Sequence, residues 1–358
     1  MKKNAVLLVL ISLLIFSLSF SGCKDQSSEK NVDKTVTNDN DKTGKQGDNT
    51  LNNKGVGSDT DVKGMEASGK NPENGKSEIG SGENGEKKEA VEEPEPEPTD
   101  AAMDYVTQLE YDRSRLLAKT DYYDSLDNSC PNTWCFQRKK DHSPSGTYEN
   151  LKISDYNSVY LNENVAEGDK VIYLTFDCGY PSDLTVKILD TLKKHNVKAS
   201  FFVTKMYLEE CADYAKRMKE EGHMVCNHTV THTDLLKKSV EGIAAEIFDV
   251  AEYFYEVTGY TFDPYLRTPT GSYSKRLLSI IRDAGYLTVF WSIAYGDYDP
   301  KNQPEPGYVT NHFDTYHHNG AVALMHNDSP SNANELDAVL TLLEKEGYRF
   351  GLLNELDY

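Results

Sequence analysis

The chain has 358 residues, with 58 acidic against 38 basic side chains and a net charge of −20. That acidity excludes a nucleic-acid binder, because phosphates demand a basic footprint. It suits a soluble surface protein that acts on neutral or mixed-charge substrates.

Residues 1–23 read as an export signal. Lys2 and Lys3 precede the apolar run "AVLLVLISLLIFSLSF", and "SGC" closes it with Cys23. The pattern resembles a bacterial lipoprotein signal, in which cleavage before the cysteine leaves that cysteine to be acylated. Phe20 departs from the usual leucine. A lipidated Cys23 would hold the chain on the outer face of the cell membrane. Residues 24–100 are almost free of large apolar side chains and end in "EEPEPEPTD". Such a composition cannot bury enough surface to offset chain entropy, so a disordered tether is expected. Its relaxed span is roughly 50 Å, and about 250 Å when stretched. That reach would carry a catalytic domain into a cell wall.

Five cysteines follow Cys23: Cys130, Cys135, Cys178, Cys211 and Cys226. An odd number in an exported chain leaves at least one thiol unpaired. Cys130 and Cys135 are close enough in sequence for a small disulfide loop, and a reduced pair is the equal alternative.

The chain becomes globular near residue 101. "AAMDYVTQLEYDRSRLLAK" predicts a helix, and the irregular aromatic stretch "NTWCFQRKKDHSPSGTYENL" follows. Residues 101–165 form an N-terminal extension expected to pack on the domain that occupies 166–358. Beyond 170, apolar runs alternate with amphipathic helices. "VIYLTFD" precedes "SDLTVKILDTLKKHNV", where Leu184, Ile188, Leu189 and Leu192 recur at helical spacing. "ASFFVT", "HMVCNH", "PYLRTP", "LTVFWS", "AVALMH" and "YRFGLL" continue the rhythm. Nearly continuous apolar strands separated by helices predict an α/β fold on a buried parallel sheet, as a barrel or a doubly wound sheet.

Active sites in such folds form where strands run out at their C-terminal edge. Asp177, His228, Arg267 and His326 each stand at such an end. "HTVTH" sets His228 and His232 at a spacing that lets two imidazoles reach one ion. Asp177 is placed to act as a general base, with His326 as the matching acid. Arg267, in the rigid turn "RTPTG", would hold Asp177 ionised. Together these parts suggest metal-assisted hydrolysis of an amide or ester.

The ordered motifs carry a resemblance. "TFDCG", "HTVTH", "RTPTGSYS", "WSIAYGDY" and "LMH" resemble the five motifs of polysaccharide deacetylases with a NodB homology domain, carbohydrate esterase family four. The resemblance implies a distorted (β/α) barrel and metal-dependent removal of N-acetyl groups from sugar polymers. It makes Asp177 the base, His228 and His232 the metal ligands, Arg267 the residue that orients Asp177, and His326 the acid. A backbone N–H near Thr270, between Pro269 and Gly271, would hold the oxyanion. The implied cofactor is a divalent metal, zinc first, with manganese and cobalt as alternatives.

Two positions depart from the family pattern. Cys178 replaces a metal-binding acid, and Ala294 replaces the acid that usually supports the arginine. Both losses resemble the delta-lactam-biosynthetic de-N-acetylases, as does "WCFQRKKDHSP" beside their W-G-F-x-R…H-x-P. Those enzymes deacetylate N-acetylmuramic acid in peptide-stripped glycan, on the way to the lactam sugar of spore cortex. Cys178 is a candidate third ligand, although its sulfur is one bond short and Zn–S gains only about 0.2–0.3 Å over Zn–O. The alternatives are a space-filling Cys178 and a disulfide to Cys226. The leading expectation is therefore a monomeric, membrane-tethered muramic-acid deacetylase acting on a peptidoglycan glycan strand. A peptidoglycan N-acetylglucosamine deacetylase and a glycan-binding pseudoenzyme are the alternatives.

Overall fold

The computed structural model describes residues 104–130, 133–148 and 151–356. The export signal, Cys23 and the linker lie outside the described residues. Among the described residues no helix is long and apolar enough to cross a membrane.

The extension opens with helices α1 (Tyr105–Leu117) and α2 (Thr120–Asp124), a hairpin of β1 (Phe136–Gln137) and β2 (Gly146–Thr147), and a short strand β3 (Ser158–Val159). The alternating region follows as β4 (Val171–Cys178), α3 (Leu184–Lys194), β5 (Ser200–Val203), α4 (Lys205–Glu220), β6 (Met224–Asn227) and α5 (Val240–Thr258). It continues with β7 (Asp263–Leu266), α6 (Lys275–Asp283), β8 (Leu287–Val289), α7 (Tyr308–Tyr316), β9 (Ala321–His326), α8 (Pro330–Lys345) and β10 (Arg349–Gly351). The predicted helix at 101–119 is thus realised as α1 within the described residues.

All eight residues of β4 are buried, as a strand covered on both faces requires. Ile172, Leu174, Phe176 and Cys178 face the large core shared with the helices. Val171 and Tyr173 face a smaller inner core with Phe202, Cys226 and Val322. The main sheet runs β10-β4-β5-β6-β7-β8-β3, with β9 on β4 as well. Its strand pairs are parallel. Past β8, an isolated parallel bridge joins Ile293 to Ala323 of β9. The sheet therefore curls back on itself, and the expected distorted (β/α) barrel is the observed architecture.

The extension helps close this curl. β3 pairs with β8, Leu161 bridges Ala321, and the Asn162 N–H donates to the Gly320 carbonyl at 2.8 Å. Gly320 is required there. Its φ is +75°, and an added Cβ would meet the Asn162 carbonyl oxygen at 2.1 Å. Helix starts stay tight against the rim because their caps follow the strands directly. Thr204, one residue past β5, accepts from the Tyr207 N–H at 3.1 Å, and Ser329 caps α8 through the Asn332 N–H at 3.1 Å.

Candidate active site

β4 and β9 run side by side in register, so Asp177 stands opposite His326 at their last paired positions. Asp177 closes a strand whose odd-numbered positions face the barrel interior. Arg267, just past β7, reaches across and donates from Nη1 to Asp177 Oδ1 at 2.7 Å. The arginine is fully buried and is held further by Nε donating to the Val289 carbonyl at 3.0 Å and Nη2 to the Phe290 carbonyl at 3.4 Å. Its guanidinium also lies 4.2 Å from the Phe202 ring centroid. Two main-chain carbonyls thus hold the arginine in a chain that has Ala294 where the family pattern has an acid.

Burial alone would push the Asp177 carboxyl up, but Arg267, His228 and His326 hold it below the usual carboxylate range. His326 moves the opposite way. Burial would lower it, yet Asp297 overrides burial, and the imidazole is pushed up to about 9. Asp297 is itself buried. It accepts from His326 Nδ1 at 2.9 Å, from the His326 backbone N–H at 2.9 Å and from Asn332 Nδ2 at 2.6 Å. The site therefore holds an ionised carboxylate beside a protonated imidazole, which is the pairing that general base and general acid need.

His228 follows β6 and is buried. Its Nδ1 donates to the Arg267 carbonyl at 2.8 Å, which leaves the Nε2 lone pair 3.5 Å from Asp177 Oδ2. His232 sits with φ +51° and its ring centroid 4.8 Å from that of His228. Burial drives both imidazoles towards the neutral form, His228 down to about 4. A buried acid builds this loop: Glu246 Oε2 accepts the N–H groups of Val230 and Thr231 at 2.9 and 2.8 Å. Lys238 neutralises Glu246 at 2.8 Å.

Two neutral imidazoles beside a carboxylate are donors that suit a divalent cation, and the bond from His228 Nδ1 to a carbonyl is the usual support for such a ligand. Among the described residues no group of three or more His, Cys, Asp and Glu side chains is assembled to hold a metal by itself.

Cys178 does not face this group. Strand alternation sends it to the outer core, where burial pushes its thiol well up and its electrostatic neighbours include Cys211. A protonated thiol on the far face of the sheet is not placed as a third ligand beside His228 and His232, and of the readings weighed for Cys178 the space-filling one fits its position in the core. The disulfide alternative fails for the same reason. Cys226 belongs to the inner cluster, and Cys178, Cys211 and Cys226 are free thiols.

Pro269, Thr270 and Gly271 form a single tight turn after Arg267, with Thr270 at φ +58° and Gly271 at +68°. A Cβ on Gly271 would meet Trp291 Cη2 at 2.7 Å and Trp134 Cβ at 3.1 Å. Trp134 clamps the turn: its N–H donates to the Gly271 carbonyl at 2.9 Å and its Nε1 to the Trp291 carbonyl at 2.8 Å. The sequence reading missed Asp297 and Glu246. The signal for Asp297 was present in "WSIAYGDY", whose second acid survives although its first is gone. Nothing in the sequence marks Glu246, which lies inside α5.

The family model described as polysaccharide deacetylase matches residues 164–289. The chain is 40% identical over 228 residues to peptidoglycan-N-acetylmuramic acid deacetylase PdaA of Bacillus subtilis (strain 168), spanning 63% of this chain and 86% of that one. It is 35% identical over 210 residues to peptidoglycan-N-acetylglucosamine deacetylase PgdA of Listeria monocytogenes serotype 1/2a (strain 10403S), spanning 57% of this chain and 44% of that one. The solved structure of Bacillus subtilis PdaA, a family 4 carbohydrate esterase, matches with TM-score 0.61 at 39% identity, covering 64% of this chain and 98% of that chain.

Proposed function

Because this chain belongs to the polysaccharide deacetylase family, we propose that it is a peptidoglycan de-N-acetylase that hydrolyses the acetamide of N-acetylmuramic acid in peptide-stripped glycan. The observation that carries the reading is the opposed pair Asp177 and His326, each tuned by its own buried partner, Arg267 and Asp297. A glycan-binding protein gains nothing from a carboxylate held ionised beside an imidazole held protonated, so the pair argues against a pseudoenzyme.

Each residue then has a task. Asp177 takes the proton from the attacking water, and Arg267 keeps it ionised and aimed. His326 donates a proton to the departing nitrogen, which leaves as an amine. A backbone N–H of the strained turn at Thr270 would help hold the oxyanion. His228 and His232 would hold a divalent cation, zinc first, which when bound polarises the acetamide carbonyl. The muramic-acid preference is supported by likeness to PdaA and by Ala294 and Cys178 at the two altered positions. The freed amine can then close onto the lactyl carboxylate as the lactam of spore cortex. The signal at 1–23, lipidation at Cys23 and the tether would place the enzyme outside the membrane, within reach of the wall.

Acetate release from amidase-stripped peptidoglycan tests the reading. It is expected with the wild-type protein, lost in Asp177→Asn, and lost and regained on chelation and return of zinc. Calorimetry should also give a weaker zinc affinity for His232→Ala. No acetate from the wild-type protein with zinc, manganese or cobalt would overturn the reading.

A further inference from the structure

The loop that carries His228 and His232 is strained. Thr229 sits at φ +73° and His232 at φ +51°, a region that residues other than glycine seldom enter and β-branched residues least of all. Strained residues persist only where their surroundings over-determine them, and they gather at ligand clamps. One of those surroundings is an acid in an unusual place. Glu246 lies inside α5 with its side chain 4% exposed and paired with Lys238 at 2.8 Å.

Each backbone N–H of the loop has an acceptor. That of His228 continues the sheet, donating to the Val203 carbonyl at 3.0 Å. The Thr229 N–H donates to Asn227 Oδ1 at 2.9 Å, and the His232 N–H to Thr229 Oγ1 at 3.2 Å. The two N–H groups between them, of Val230 and Thr231, both donate to Glu246 Oε2, while the Thr231 hydroxyl donates to Oε1. The carbonyl of the next residue in the helix, Ile247, accepts from Asn227 Nδ2 at 2.8 Å. Two consecutive residues of α5 thus pin the loop at its base and at its crown. His232 comes directly after the crown, and its ring centroid ends 4.8 Å from that of His228. With Cys178 turned to the outer core, a cation leans on these two imidazoles. A pair already held together costs less ordering on binding than a pair that must be gathered.

We propose that Glu246 is a positioning residue for the metal: its carboxylate takes the amides of Val230 and Thr231, so that the loop turns His232 onto His228 before an ion arrives. The inference rests on the reading that these two histidines hold the cation. Glu246 acts through the loop and not by contact with the ion.

The test is calorimetric titration of zinc into the full-length, metal-free protein. Glu246→Ala leaves the two amides without their acceptor and should weaken zinc binding by about ten- to a hundredfold. Glu246→Gln keeps one oxygen for them and should lose less. Leu343→Ala, a cavity in the outer core under α8, should cost stability but leave zinc affinity within about twofold. The visible spectrum of the cobalt-loaded protein, which reports ligand geometry, should change in Glu246→Ala and not in Leu343→Ala. Zinc affinity of Glu246→Ala within about twofold of wild type, an equal loss in Leu343→Ala, or a greater loss in Glu246→Gln than in Glu246→Ala overturns the proposal. Should Glu246→Ala not fold, Glu246→Gln carries the test, with binding at least about threefold weaker expected and wild-type affinity overturning it. A wild-type protein that binds no zinc would instead overturn the metal reading itself, and this inference with it.

Discussion

Replacing Asp297 with asparagine keeps the shape of the site and removes one charge. Against burial, Asp297 is the foremost of the three carboxylates, with Asp177 and Asp328, that carry His326 from an ordinary 6.5 to about 9. That difference corresponds to about 3 kcal/mol favouring the imidazolium, an upper figure because the His326 side chain is 24% exposed and solvent screens the pair. His326 acts as the acid, so activity should fall as pH rises through its pKa. In the wild-type protein that basic limb lies near 9. In Asp297→Asn it should fall towards the ordinary histidine value. Near pH 7.5 the protonated fraction then drops from almost all to about a tenth, a loss of roughly tenfold in kcat/KM, whereas near pH 6 the loss from ionisation is under about twofold. The assay is acetate release across pH 5.5–10 for both proteins at saturating zinc. A basic limb unmoved by the substitution, or the same fractional loss at pH 6 and 7.5, would refute the role given to Asp297. The same pair contributes stability that is fully present below 6.5 and lost as pH rises through 9.

Arg267→Met strands the Asp177 carboxylate in a buried site, and urea unfolding should record a loss of about 3–5 kcal/mol together with loss of acetate release. Gly271→Ala pushes a methyl group into Trp291 and fixes an unfavourable φ. Its cost of about 1–2 kcal/mol should lower the melting temperature by about 2–4 °C per kcal/mol, readable by calorimetry. Cys178→Ala should leave zinc affinity within about twofold, since the thiol faces the outer core, whereas a loss above tenfold would restore it as a ligand. Burial holds His223, His228, His312 and His318 down to about 4, while the unfolded chain protonates its histidines near 6.5. The unfolded state therefore binds more protons between these values, and metal-free protein should lose stability steadily as pH falls from 6.5 to 4, as urea melts would record.

Much of the site was legible because strand ends in a parallel sheet converge by construction. Asp177, His228, Arg267 and His326 each follow an apolar run, and the register of β4 with β9 makes two of them neighbours. Asp297 was harder to read because it sits in a loop and acts on His326, 29 residues further along. Glu246 works from the middle of a helix by capping loop amides, a task that helical periodicity does not reveal. For Cys178 the sequence argued against ligation from its reach, and its direction gives the stronger reason. Pairing of Cys178 with Val203 keeps it in the strand, and an extended strand turns neighbours to opposite faces. The closure through β3 and Gly320 was likewise unreadable, since a two-residue strand carries no periodic signal.

The most direct test of the central claim is mass spectrometry of muramidase digests after incubation with the zinc-loaded protein. Two glycans are offered in parallel, intact peptidoglycan and amidase-stripped strands. The account predicts loss of acetyl from muramic acid in the stripped strands alone, followed by loss of water as the lactam closes, and neither in Asp177→Asn. Loss of acetyl from glucosamine in intact wall would contradict it.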